Sequence, residues 1–153
     1  MEAVFKNKVT EITVAYKPRK EALERQIIRS PEDALNSILS GFDQDIIMIQ
    51  EQFVVLYLNQ ANAVIGLYKA SKGGITATVV DIRIILSIGL KLLATSMIIA
   101  HNHPSGNLKP STADQDLTLK LKEAAKFMDI KLLDHFIVVG SGKWFSFAEE
   151  GIL

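Results

Sequence analysis

A chain of 153 residues is about one domain long and can bury a single core. Hydrophobic residues make up 48% and charged residues 22%, which excludes disordered, collagen-like and low-complexity assemblies. Seventeen basic and seventeen acidic side chains cancel, so no global positive field gathers nucleic acid or anionic membrane, and the lack of cysteine excludes disulfides, thiolate metal sites and thiol nucleophiles.

The N-terminus, Met1-Glu2-Ala3-Val4-Phe5-Lys6, places an acid and a base around its first apolar residues and does not read as a signal peptide. Alternation over Val9, Ile12, Val14 and Tyr16 suits one strand within Val4 to Tyr16, and a basic stretch follows with Lys17, Arg19, Lys20, Arg25 and Arg29. Residues 1–30 are too short for their own core and read as an N-terminal arm on a domain spanning 31–153. Ser30-Pro31-Glu32-Asp33 opens a helix running toward Gly41, with Ala34, Leu35, Ile38 and Leu39 as its apolar stripe. Gln52 to Leu58 reads as a strand, Asn59 to Asn62 as a turn, and Ala63 to Ala70 as a second strand broken by Ser71-Lys72-Gly73-Gly74.

The run from Val80 to Leu93 is apolar nearly all round, which predicts a buried helix. Within Val79 to Ala100, Asp81, Arg83 and Lys91 interrupt the roughly 20 apolar residues a bilayer span requires. A cytoplasmic protein without membrane partners is expected. Ser96 to His101 suits a central strand buried on both faces, and the Asn, Pro, Ser and Gly of His101 to Pro110 mark a loop. Ser111 opens a helix with the stripe Leu117, Leu121, Ala124 and Met128, and with Lys120, Lys122, Glu123 and Lys126 facing water. Lys131 to Val139 is another strand, turned by Gly140-Ser141-Gly142 into a last one around Trp144, Phe145 and Phe147. The elements alternate around one sheet, an α/β pattern.

The chemistry concentrates in His101-Asn102-His103-Pro104-Ser105-Gly106-Asn107-Leu108-Lys109-Pro110-Ser111-Thr112-Ala113-Asp114. Residues two apart on a strand share a face, so His101 and His103 point into one place. Imidazole is a common zinc ligand, and a catalytic zinc takes three protein groups and keeps one position open. Asp114, where the loop lands in the next helix, can supply the third. Roughly 4% of shuffled chains of this composition hold a His pair at that spacing, and adding Ser and Asp at the later positions lowers this to about one in ten thousand. Ser111-Thr112-Ala113-Asp114 also reads as a capping box with Asp in place of Glu or Gln, and one carboxylate has an oxygen for each task. His135 reads as a satisfied strand residue or a group behind the ligands. For the base that a hydrolytic site needs, Glu51 stands directly before a strand, with Asp43 and Asp45 as alternatives in exposed chain.

His-x-His, seven residues, Ser, two residues and Asp, with Glu upstream, resembles the JAMM signature of the JAB/MPN metalloproteases. The segments His101 to Gly106, Pro110-Ser111, Asp114, Glu51-Gln52-Phe53, Leu132 to His135 and Ser146 to Gly151 resemble its bacterial RadC branch over residues 30 to 153. Gly73-Gly74-Ile75-Thr76 departs slightly from that branch's spelling. The resemblance implies a mixed-sheet α/β/α sandwich of cytidine-deaminase-like type. It also implies Zn²⁺ on His101, His103 and Asp114, Glu51 as general acid/base, and Ser111 ordering the water or holding the tetrahedral intermediate. RadC proteins generally carry an N-terminal helix-hairpin-helix region for which this chain has no room, so it resembles the shortened forms associated with mobile elements.

The leading expectation is a zinc metallohydrolase, a peptidase or isopeptidase with a peptide or protein substrate. A DNA-repair or mobile-element protein with weak DNA association, as nuclease or accessory factor, is the second reading. A non-catalytic MPN-like interaction module is the third.

Overall fold

The computed structural model describes residues 24–73 and 80–153. The elements run α1 (Pro31–Leu39), β1 (Gln52–Leu58), β2 (Val64–Lys72), α2 (Ile82–Lys91), β3 (Ser96–Asn102), α3 (Thr112–Lys126), β4 (Lys131–Val138) and β5 (Trp144–Ser146). The strand expected within Val4 to Tyr16, the basic residues before Arg25, and Ile75-Thr76 lie outside the described residues.

α1 starts where its caps dictate: Ser30 Oγ accepts from Asp33 N at 3.2 Å, and Asp33 answers by accepting from Arg29 N at 3.0 Å. Its stripe of Ala34, Leu35 and Ile38 is buried. The five strands form one sheet in the order β2-β1-β3-β4-β5. β1 lies antiparallel to β2 and β3, β3 runs parallel to β4, and β5 returns antiparallel. A parallel neighbour needs a crossover, and α3 supplies it.

Alternation along the central strands sorts the core into two layers. Val54, Leu56, Leu58, Ile98, Ala100, Phe136 and Val138 pack with α1. Phe53, Val55, Tyr57, Met97, Ile99 and Leu132 pack on the other face with Ile85 of α2 and Leu121 and Ala125 of α3. Helices therefore cover both faces of a mixed sheet, which is the α/β sandwich expected. All seven residues of β3 are buried, as a central strand requires.

Three details correct the sequence expectations. β2 does not stop at Ala70: Ser71 pairs with Phe53 and Lys72 with Gln52, because the ladder continues to the first residue of β1 and a bulge at Ala70 absorbs the irregularity. α2 is not buried all round. It buries Ile85, Leu86 and Gly89, while Ile84 and Leu90 are exposed. Gly89 sits there because a Cβ would come within 3.2 Å of Ile130 and 3.3 Å of Tyr57, so the helix backbone lies close on the sheet. α3 buries Thr118, Leu121 and Ala125, with Leu117 and Ala124 partly covered, whereas Met128 falls beyond the helix and is exposed. Among the described residues no helix is long and apolar enough to cross a membrane.

Candidate metal centre

The pairing of Phe53 with His101 brings the start of β1 and the end of β3 to one end of the sheet, and Glu51, just before β1, shares that end. His101 is 1% exposed, with Phe53 stacked on it at a 6.2 Å centroid distance and 9° between planes. His103 stands one residue past the strand, yet its N–H bonds to Val138 O at 2.9 Å. The backbone thus stays extended, and the rings of His101 and His103 meet edge to face at 4.7 Å.

The following loop turns back at Gly106, whose φ of +79° suits glycine, and an added Cβ would meet open space there. Asn107 O lies 2.6 Å from His103 Nδ1 and so accepts its proton. The loop lands on Ser111, the N-cap of α3, and Asp114 is the third helical residue of a complete capping box. Ser111 N and Oγ both donate to Asp114 Oδ2 at 2.7 Å, and Asp114 N donates back to Ser111 Oγ at 3.1 Å.

One carboxylate oxygen therefore serves mainly the cap while the other faces the histidines. His101 Nε2 lies 2.9 Å from His103 Nε2 and 3.1 Å from Asp114 Oδ1, and His103 Nε2 lies 3.5 Å from Asp114 Oδ2. Bonds of roughly 2.0–2.1 Å at tetrahedral angles set ligand atoms about 3.3 Å apart, and these separations bracket that figure. With its proton held at Nδ1, neutral His103 turns a lone pair toward a carboxylate and a second imidazole nitrogen. A cation at the meeting point, or a proton on one of the ring nitrogens, reconciles that convergence. The hydrogen bond to Asp114 raises the His103 pKa, against the opposing effect of burial and with help from Asn107 O and the charges of Asp114 and Glu51. Burial would raise the Asp114 pKa, but the facing His101 and His103 imidazoles, with Ser111, outweigh it and hold the carboxyl far below its ordinary range. Among the described residues, these three form a group of His and carboxylate side chains whose ligand atoms all lie within 4.8 Å of one another. They fit a metal ion.

A cleft of about 600 Å³ opens over the group, with Glu51, Phe53, Val80 and Lys109 in its wall. Glu51 is half-buried there, and its own carbonyl is pinned by Gly73 N at 2.8 Å. Asp43 and Asp45 do not line it. Instead, the main chain of Asp43 bonds the Gln52 side chain at 2.8 and 3.0 Å. Ser111 lines the cleft, with its one hydroxyl proton directed at Asp114.

Two contributors escape a reading from sequence. Thr118, 3% exposed, bonds His135 Nδ1 at 2.6 Å, and its spacing of four from Asp114, one helical turn along the same face, is the signal that could have found it. Asn102 holds the chain around Glu51, accepting from Gln52 N at 2.6 Å and donating to Ile47 O at 2.6 Å and Gln50 O at 2.9 Å. His135 is fully buried behind His101 and bonded at both ring nitrogens, which is the satisfied position expected of it. Burial keeps its pKa well below the ordinary imidazole value.

Comparison with known proteins returns the same segment. The profile of the RadC-like JAB domain family matches residues 28–152. A UPF0758 protein of Flavobacterium johnsoniae is 49% identical over 102 residues, covering 67% of this chain and 44% of that protein. One from Porphyromonas gingivalis is 39% identical over 136 residues, covering 89% and 59%, and one from Burkholderia vietnamiensis is 41% identical over 146, covering 95% and 54%. The chain spans about half the length of the curated relatives it matches. With a family match over well more than half its length and a mixed sheet sandwiched by helices, the chain belongs to the RadC-like JAB domain family.

Proposed function

We propose that this chain is a cytoplasmic zinc-dependent hydrolase of peptide or isopeptide bonds. The observation that carries the reading is the convergence of His101 Nε2, His103 Nε2 and Asp114 Oδ1 in a cleft that Glu51 also lines. Three protein groups leave an open position, the arrangement of catalytic rather than structural zinc. Once bound, zinc supplies Lewis acidity, lowering the pKa of a water toward roughly 7 and polarising a carbonyl oxygen.

The chain's own residues do the rest. His101, His103 and Asp114 hold the ion. Glu51, outside the ligand group, accepts the attacking water's proton and returns it to the leaving amine. Ser111 fixes Asp114 through Oδ2 and lines the wall where it orders that water. Nuclease action on the same metal is disfavoured by the cleft wall, in which, among the described residues, Lys109 is the single lysine or arginine beside the acids Glu51 and Asp114. An interaction module has no need for converging ligands with a carboxylate beside them.

Metal analysis of the as-purified protein, followed by Glu51→Gln, tests the reading. The expected result is about one zinc per chain, kept in the variant, with peptide turnover on a fluorogenic peptide library lowered by about 10²–10⁴-fold. Iron in place of zinc, loss of zinc from Glu51→Gln, or full turnover in that variant would each overturn it. So would cleavage of DNA without cleavage of peptides.

A further inference from the structure

A hydrogen-bond chain runs from His101 through His135 and Thr118 to the main chain of Asp114, whose side chain faces His101 again at the candidate metal position. His101 Nδ1 lies 2.8 Å from His135 Nε2, and His135 Nδ1 lies 2.6 Å from Thr118 Oγ1. Thr118 Oγ1 donates to the main-chain oxygen of Asp114 at 2.5 Å, and Asp114 Oδ1 returns to within 3.1 Å of His101 Nε2. His101, His135 and Thr118 are each no more than 3% exposed, so bulk water does not substitute for these partners.

The direction of the chain is set at one end. A carbonyl only accepts, so Thr118 spends its single proton on Asp114 O and can only accept from His135. His135 Nδ1 therefore carries a hydrogen. The lone pair of that ring is then on Nε2, which must accept from His101 Nδ1–H. His101 is left with its Nε2 lone pair facing His103 and Asp114.

We propose that Thr118 and His135 are positioning residues for the metal: a one-way hydrogen-bond chain, anchored on the backbone of one ligand, fixes the tautomer and tilt of another. The proposal rests on the ligand assignment above, but the tautomer is a property of the metal-free protein. The anchoring also couples the two ligands, because Asp114 supplies a carboxylate from its side chain and the terminal acceptor of the relay from its main chain. Outer partners of metal-bound histidine are typically worth 10–100-fold in affinity.

A packing role makes a different prediction. His135 stacks on Phe147 at 4.5 Å and tilts against Phe53 at 6.0 Å, so phenylalanine would fill its place. The test titrates zinc into the full chain against a chromophoric chelator, comparing wild type with His135→Phe, Thr118→Val and Thr118→Ser. It also reads the ¹⁵N shifts of the His101 ring in metal-free protein. The relay predicts a protonated Nδ1 on wild-type His101. It predicts about 10–100-fold weaker zinc binding in the first two variants and near wild-type affinity in Thr118→Ser, which keeps the hydroxyl. A wild-type His101 without a proton on Nδ1 would overturn it whether or not any variant folds. So would unchanged affinity in both His135→Phe and Thr118→Val. A wild-type protein with the expected Nδ1 proton that takes up no zinc would overturn the metal-positioning role together with the hydrolase reading, whereas zinc uptake unaffected by the variants would overturn the positioning role alone.

Discussion

His101 and Asn102 are neighbours on β3, both shut away from solvent, and they face opposite sides of the sheet. On the α1 side, every hydrogen-bonding capacity of the Asn102 amide nitrogen is spent on the backbone, and its oxygen takes a third bond. On the other side, His101 gives one nitrogen to His135 and turns the second toward His103 and Asp114 in the cleft. Burial and polarity are the same in both, so neither property marks the site. What differs is whether the fold itself completes the group's bonding. The two faces also divide the labour: Asn102 secures the segment bearing Glu51, and His101 belongs to the candidate metal.

The comparison can be broken most severely on the cleft side. Asp114→Ala and His103→Ala should each weaken zinc binding by more than the roughly 10–100-fold that loss of an outer partner costs, while circular dichroism of the metal-free protein stays native. Zinc uptake by His103→Ala equal to wild type would remove His103 from the ligand group. On the other face, Asn102→Ala should act on stability instead. It leaves Ile47 O, Gln50 O and Gln52 N without their partner, at about 1 kcal/mol per lost bond, so urea unfolding should show a loss of about 3 kcal/mol. If the variant is as stable as wild type, Asn102 is not the clamp described. Ser111→Ala sharpens the boundary between the two roles, because Ser111 caps a helix and holds a ligand at once. Removal of an N-cap serine costs about 1 kcal/mol, and a smaller change in the urea midpoint would mean the cap is dispensable. The weakest expected effect concerns nucleic acid. Duplex binding should be weak and independent of sequence, with log affinity falling by roughly 0.9 per log unit of salt for each phosphate contact. Sequence-selective nanomolar binding at physiological salt would promote the nucleic-acid reading.

Much of the site is legible because it is local. Two histidines at spacing two need only a strand to share a face, and Asp114 needs only a helix start where the loop lands. The central strand β3 and the α1 cap follow from equally short patterns. Asn102 is opaque for the opposite reason: its partners stand 50 to 55 residues earlier in the chain, and no periodicity announces them. The link from His135 to His101 depends on the β3–β4 register, which shifts between Met97 and Ile98, and register is not written in either strand alone. Thr118 reads as an ordinary polar helix residue until His135 is known to lie behind it. The misjudged face of α2 has another cause. A run of apolar residues shows that something is buried, but Ile84 and Leu90 remain exposed because the sheet covers only one side of the helix.

The three candidate ligands occupy residues 101 through 114, but Glu51 precedes them by fifty positions and His135 follows the last of them by twenty-one. During synthesis the ligand segment therefore leaves the ribosome before the strand that backs it. Parallel pairing of β3 with β4 is a non-local step that waits for α3 to form and cross over. A metal ion arriving early meets two histidines and an aspartate on unfinished chain, free to bind in other geometries. If the group binds metal as proposed, faithful loading is a late event in the life of the nascent protein, timed by completion of the β3–β4 pair.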